Sequence, residues 1–215
     1  MIITAEERDA VYKTIFNRRD VRSNFTDQAI PDEVLTRILT AAHHAPSVGF
    51  MQPWDFIVVR SQQIKQKIKN GFELANKQSA EMFNGDKQLQ YKKLKLEGIL
   101  EAPVGICVTC DRSRNGPVVL GRTIKPEMDF YSVVCAIQNI WLAARSENLG
   151  LGWVSIIEDS VLKQALDIPD DIHIVAYLCL GYVSNFSAQP ELEQKGWLKR
   201  SELSSVLHFD KWRKD

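Results

Sequence analysis

The chain has 215 residues, 45% of them hydrophobic and 25% charged, which suits one globular domain and excludes disordered or fibrous classes. Its 27 basic and 27 acidic side chains cancel, so no global field calls for nucleic acid or an anionic membrane as partner. Any anion site must therefore be a local concentration of charge, and no stretch approaches the roughly 18 uncharged apolar residues of a spanning helix.

The first residues, Met1 to Arg8, turn acidic where a signal peptide runs apolar, so a cytoplasmic protein is expected. Residues 5–18 carry Val11, Ile15 and Phe16 at the spacing of an amphipathic helix that ends at arginines. A second helix starts at Pro31-Asp32-Glu33, with proline and acids in its first turn. It continues through Leu35, Ile38, Leu39 and Ala42 and stops before Pro46. Residues 55–60 are rich in β-branched and aromatic side chains and predict a strand. The polar, lysine-rich residues 61–100 predict two helices around a softer middle at Ser79 to Gln88, the second carrying Leu94, Ile99 and Leu100.

Residues 102–111 predict a second, buried strand, and Arg112 to Pro126, with two glycines and two prolines, a loop. The most apolar helix is predicted over 127–149, with Val133, Ile137, Ile140, Trp141 and Ala144 on one stripe and Asn148 and Gly150 at its end. A third strand over Trp153–Ile157, a short helix from Val161 to Leu166 and a central strand over Ile174–Tyr182 complete the pattern. No linker or repeat divides the chain, so one domain over 1–215 is expected.

Three segments hold side chains that can do chemistry. Arg18, Arg19 and Arg22 fall within five residues at a helix end, with Asp20 and Val21 between them. Guanidinium forks suit phosphate, although a solvated charged face is the commoner meaning of such a run. Between helix and strand, Pro46, Ser47, Gly49, Met51 and Gln52 offer polar groups and a permissive backbone to a planar ligand, or simply a helix stop stapled by Trp54. Gly150, Gly152, Trp153, Val154 and Ser155 predict a glycine turn entering a strand, a common feature of low specificity on its own.

Cys107 and Cys110 match a CxxC pattern, but residues three apart in a strand face opposite ways, so core cysteines are the better account. The four cysteines are too few for a secreted disulfide scaffold. The four histidines have no companion at ligand spacing, and no metal site is expected. The absence of a GxGxxG or P-loop pattern disfavours dinucleotide and nucleoside triphosphate binding of the usual kinds.

Taken in this order, the three segments resemble the flavin-dependent nitroreductase-like superfamily. There an Arg-x-Ser-x-Lys/Arg segment, a Pro-Ser-x-x-Asn-x-Gln-Pro-Trp loop, a glycine-rich turn into a strand and a basic residue near the C-terminus surround FMN. The counterparts here are Arg18 to Arg22, Pro46 to Trp54, Gly150 to Ser155, and Lys199 or Arg200. Two departures stand out: Asp20 replaces the serine of the first motif, and Phe50 the asparagine of the second. That pattern, with long matches at 45–54, 94–99, 108–112, 136–145 and 152–156, is similar to the 5,6-dimethylbenzimidazole synthase branch.

The resemblance implies an α+β, three-layer fold with a central mixed sheet, and a homodimer with FMN at the interface. It implies that reduced FMN is the substrate, dismantled by O2 into dimethylbenzimidazole and erythrose 4-phosphate, and that a separate flavin reductase supplies it. Arg18, Arg19, Arg22 and Lys199 or Arg200 would hold the phosphate. Val21, Pro46, Ser47, Met51, Gln52, Gly152, Trp153 and Val154 would line the rest, with Phe50, Met51 and Trp153 keeping it dry. Asp20, expected ionised between arginines, would be the general base, and Ser155 would hydrogen-bond the oxygen species, the ring or Asp20. Residues 71–98 are a candidate lid. The alternatives are a conventional FMN-dependent NAD(P)H oxidoreductase and, from another class, a non-catalytic flavin carrier.

Overall fold

The computed structural model describes residues 2–212. Helix α1 (Ala5–Asn17) starts at a capping box: Glu7 N–H donates to Thr4 Oγ1 at 3.3 Å and Thr4 N–H to Glu7 Oε2 at 2.8 Å. None of its residues is buried, and Val11, Tyr12, Ile15 and Phe16 all lie exposed. Helix α2 (Asp32–His43) follows, and a 3₁₀ turn at Val48–Phe50 leads into strand β1 (Trp54–Val59).

Helix α3 (Gln62–Glu81) runs three residues into the expected softer middle at Ser79 to Gln88, and α4 (Gly85–Tyr91), a short helix after a brief turn, begins within it. Strand β2 (Val104–Cys110), helix α5 (Met128–Ser146), strand β3 (Leu149–Val154), helix α6 (Asp159–Leu166), strand β4 (His173–Tyr182), the single turn α7 (Glu191–Gln194) and a 3₁₀ turn at Leu203–Ser205 complete the order.

The sheet runs β1-β2-β4-β3, and every named pair is antiparallel. The mixed character expected of the sheet is confined to one isolated parallel bridge, Asp20 to Leu151, on the free side of β3. Helices α2 and α5 cover one face with Ile38, Val133, Ile137 and Ile140. Helices α3 and α6 cover the other with Ile68, Phe72 and Leu162. Three layers result, each face closed by amphipathic helices. Cys107 sits in one core and Cys110 in the other, as strand alternation requires; burial pushes both thiols up to about 12. Among the described residues no helix is long and apolar enough to cross a membrane.

Two predicted elements are corrected. Residues 94–100 are not helical. Their anchor is Glu97, buried at 2% exposure, which receives Lys69 Nζ at 2.8 Å, Lys95 Nζ at 3.0 Å and the Ile99 N–H at 2.8 Å. A carboxylate that binds its own backbone two residues on competes with helix formation. Gly98 meanwhile packs so tightly on Phe25 that an added Cβ would stand 2.6 Å from its ring.

The third strand starts at Leu149, four residues before the predicted start at Trp153, and ends at Val154. Gly150 and Gly152 are therefore strand residues and not a turn. Their reason is space. A Cβ on Gly152 would lie 2.0 Å from the carbonyl oxygen of Val21, and one on Gly150 2.6 Å from Val183 Cγ1. The backbone of Asp20–Val21 approaches β3 that closely.

Candidate functional site

Where α1 ends, Arg18 leaves the helix in extended geometry and the chain runs alongside β3. Val21 N–H donates to Leu151 O at 2.9 Å, and Trp153 N–H donates to Asp20 Oδ1 at 3.2 Å. The first and third segments singled out by sequence thus form one unit, with Asp20 between them. Arg22 Nη2 is ion-paired to Asp20 Oδ2, and the Arg18 guanidinium lies over the Trp141 ring, 4.7 Å from its centroid.

Asp20 is half-buried. Burial raises its carboxyl above the usual carboxylate value, against the opposing pull of Arg22, the Trp153 N–H and Arg18. The flanking cations alone would hold it low; desolvation outweighs them. A base whose proton affinity is lifted in this way is better matched to work near neutral pH.

Arg18, Arg19, Asp20 and Arg22 line a cavity of about 160 Å³ together with Pro190, Glu191, Leu192 and Arg200. Of the two basic residues proposed near the C-terminus, Arg200 lines it and Lys199 does not. Arg19 has another occupation. Its side chain donates to the carbonyls of Phe16 at 2.9 Å, Arg18 at 2.8 Å, Ser187 at 2.9 Å and Ala188 at 2.6 Å. Four of the five N–H donors that a guanidinium carries are thereby committed. Arg18, Arg22 and Arg200 are the cations left to meet an anion.

The remaining candidates are placed unequally. Val154 is buried at 4% exposure in the core on the α3 and α6 face and does not line the cavity. Trp153 is half-buried. Ser155 lies exposed just beyond the end of β3, and among the described residues its hydroxyl makes no hydrogen bond.

The Pro46–Gln52 loop is elsewhere. Val48 N–H donates to Ser132 Oγ at 3.0 Å near the start of α5, whereas Trp141, nine residues further along the same helix, reaches Arg19 O at 3.1 Å. Nine residues of helix span about 14 Å, so one chain does not bring this loop to the arginines.

Within the loop, Met51 is buried at 1% exposure and Phe50 stands out at 78%. Gly49, Phe50 and Gln52 all have positive φ, at 54°, 54° and 48°. Gln52 N–H donates to Ser47 Oγ at 3.0 Å, and Arg114 Nη1 donates to Gln52 O at 2.7 Å, holding the shape. Non-glycine residues in this region cost of order 1–3 kcal/mol and concentrate at functional sites.

Sequence reasoning missed Trp141 and Arg145. Both sit on α5; Arg145 Nε donates to Asn17 O at 3.2 Å, and with Trp141 it ties the arginine segment to the core. Periodicity assigned Trp141 to an apolar stripe, but an indole N–H at the end of such a stripe needs a partner, and that was the available signal.

The nitroreductase family model matches residues 15–182. A 5,6-dimethylbenzimidazole synthase of Rhodospirillum rubrum is 41% identical over 183 residues, 85% of this chain and 86% of that one. One from Rhodobacter capsulatus is 35% identical over 190 residues, 88% of this chain and 91% of its own. Among solved structures, iodotyrosine deiodinase bound to FMN and 3-iodo-L-tyrosine superposes with a TM-score of 0.75 at 22% identity, covering 94% of this chain and 100% of that one.

Proposed function

The chain belongs to the nitroreductase family, and from that membership we propose that it converts reduced FMN and O2 into 5,6-dimethylbenzimidazole and D-erythrose 4-phosphate. Relatives named for that product support the assignment. The observation that carries it is Asp20, a half-buried carboxylate at the centre of an arginine cleft. A site built only to hold an anion gains nothing from a negative charge there.

Reduced flavin supplies the electrons and the carbon: one ribityl carbon becomes C2 of the new imidazole ring, four leave with the phosphate, and the pyrimidine ring, with its four carbons and two nitrogens, leaves as a separate oxidised fragment. The residues fit such a ligand. Arg18, Arg22 and Arg200 complement a phosphate, and the bare Cα of Gly152 lets the Asp20 segment lie against β3. The cavity of about 160 Å³ is smaller than the roughly 300–1,000 Å³ of a whole ligand pocket, so it suits the phosphate end.

Asp20 takes a proton from C1′ or a ribityl hydroxyl. The Trp153 N–H fixes its Oδ1, and an arriving phosphate competes for Arg22 and so frees Oδ2. Ser155, two residues past that N–H, orients the ring, the oxygen species or Asp20 itself. Arginines that pin the phosphate restrict which bonds of the ribityl chain come within reach of the base.

The active form is a homodimer whose second copy supplies the Pro46–Gln52 loop. Three features support this: the separation of that loop from Asp20 along α5, a helix α1 with no buried residue, and an apolar groove of about 460 Å³ lined by Ala10, Val11, Leu142 and Ala143. Residues 71–98 serve as a lid through their middle part, since Phe72 and Glu97 at the two ends are built into the core, and a separate flavin reductase delivers reduced FMN. Free cysteines, three of the four buried, suit a reducing compartment such as the cytoplasm.

The test is incubation with FMN, NADH and a separate flavin reductase in air, followed by chromatography and mass analysis for dimethylbenzimidazole. Absence of product with FMN bound would sink the proposal. Asp20→Asn should keep FMN affinity and lose product; product at the parent rate would remove Asp20 as base. The broad family match favours one other reading, a conventional FMN-dependent NAD(P)H oxidoreductase, which requires NADH alone to reduce the bound flavin rapidly.

A further inference from the structure

The segment 185–200 supplies half of the residues that line the anion cavity, and it is tied down at both ends. At its start Arg19 donates to the carbonyls of Ser187 and Ala188, and the Arg145 guanidinium stacks 4.0 Å from the Phe186 ring centroid. At its far end Trp197 sits in a cage made by α4 and the turn before it. Its ring meets Phe83 edge-on at 5.4 Å and Tyr91 at 6.2 Å, while Phe83 and Tyr91 stack at 5.0 Å.

Lys87 Nζ stands 3.5 Å from the Trp197 ring centroid and also donates to Trp197 O at 3.2 Å. Gln90 Nε2 donates to Lys195 O at 3.1 Å. A cation over an indole face, closed in by two further rings, is a specific grip and not a chance contact of loops.

Arg200 lies three residues past the caged indole. Among the described residues its guanidinium makes no hydrogen bond or ion pair; only its backbone N–H is held, by Glu193 Oε1 at 3.4 Å. Its position in the cavity wall is therefore set by the backbone, and the nearest strong fixture of that backbone is Trp197.

We infer that Trp197, gripped by Phe83, Lys87 and Tyr91, is the positioning residue that presents Arg200 to the ligand phosphate. The cage thereby couples residues 83–91, within the proposed lid, to phosphate recognition. This rests on the phosphate reading of the cleft given above. It assigns the proposed lid a role at the phosphate end, in addition to any role over the ring.

The experiment is equilibrium titration of oxidised FMN and of riboflavin, which lacks the phosphate, into the parent and variants. Trp197→Leu should weaken FMN about tenfold or more, the scale of one charge-assisted hydrogen bond, and leave riboflavin affinity unchanged. Arg200→Met should do the same, and the double variant should lose little more, because both changes remove one interaction. Trp197→Phe, which keeps a ring for the cage, should restore most of the preference for FMN.

If Trp197→Leu retains the parent's preference, or weakens both ligands equally, the inference is overturned. Should Trp197→Leu fail to fold, Lys87→Met carries the same comparison, with a selective loss for FMN expected and an unchanged preference refuting. A parent that binds riboflavin as tightly as FMN would instead refute the phosphate cradle itself, and that result is visible before any variant is made.

Discussion

Gly152→Ala is the smallest change that tests whether the Asp20 segment must lie against β3. The new methyl would stand 2.0 Å from Val21 O, so that backbone must retreat by about 1.4 Å to reach ordinary contact at 3.4 Å. A shift of that size removes the Val21 N–H to Leu151 O bond, now 2.9 Å, and the Trp153 N–H to Asp20 Oδ1 bond, now 3.2 Å. Two hydrogen bonds at about 1 kcal/mol each, with overpacking of about 1–3 kcal/mol, give an expected loss near 3–5 kcal/mol. A domain in the middle of the ordinary range, about 5–15 kcal/mol, survives this.

The catalytic consequence should be larger, because a misplacement of about 1 Å at a reacting group costs on the order of a hundredfold in rate. Urea unfolding followed by circular dichroism reads the first effect, and dimethylbenzimidazole formation reads the second. Gly150→Ala is the comparator: its closest contacts are Cγ atoms of Val183 and Val21, which a χ1 change can move, and Val21 Cβ at 3.2 Å must give by only a few tenths of an ångström, so it should cost less on both measures. A Gly152→Ala protein within about 0.5 kcal/mol of the parent and at full rate would refute the reasoning.

Three further outcomes are expected. For Glu97, burial raises the carboxyl but Lys69, the Ile99 N–H and Lys95 bring it below the usual value. Its stabilisation is then present above the unfolded-state pKa of about 4.3 and fades as pH falls through the lower folded value. Glu97→Gln should therefore cost about 2–3 kcal/mol at pH 7 and flatten the acid limb of a stability–pH curve; an unchanged limb refutes this. Phe50→Gly relieves a left-handed backbone at an exposed position and should hold or raise the melting temperature while product formation falls; a lower melting temperature with full activity contradicts it. Arg19→Lys should destabilise by about 2 kcal/mol, because three donors replace a fork bound to four carbonyls, and should change FMN affinity less than Arg18→Lys does in the same titration.

Most elements were legible because their apolar spacing matched one period throughout: α2, α5, β2 and β4 lie close to where the pattern put them. The failures have a common cause in contacts that are remote in sequence. Gly150 and Gly152 signalled a turn because glycine usually serves backbone freedom; here it serves clearance from Val21, a partner some 130 residues away. Residues 94–100 carried helical spacing, but Glu97 gathers two lysines and a backbone N–H that a helix would not bring together. Arginine type alone did not reveal that Arg19 faces carbonyls while Arg18 faces the cleft. Nor did motif order reveal that the Ser47–Gln52 loop and Asp20 lie at different heights on α5.

The parallel bridge between Asp20 and Leu151 has a consequence for solubility. Strand β3 is last in the order β1-β2-β4-β3, and an open strand edge is a template for pairing with another chain. The segment that carries the proposed base covers that edge: Val21 donates to Leu151 there. The proposed chemistry and protection against aggregation therefore share one stretch of backbone. Substitutions that detach residues 20–21 should be recognised as much by precipitation as by lost turnover, and screens for improved catalysts in this segment should select first for variants that keep the edge closed.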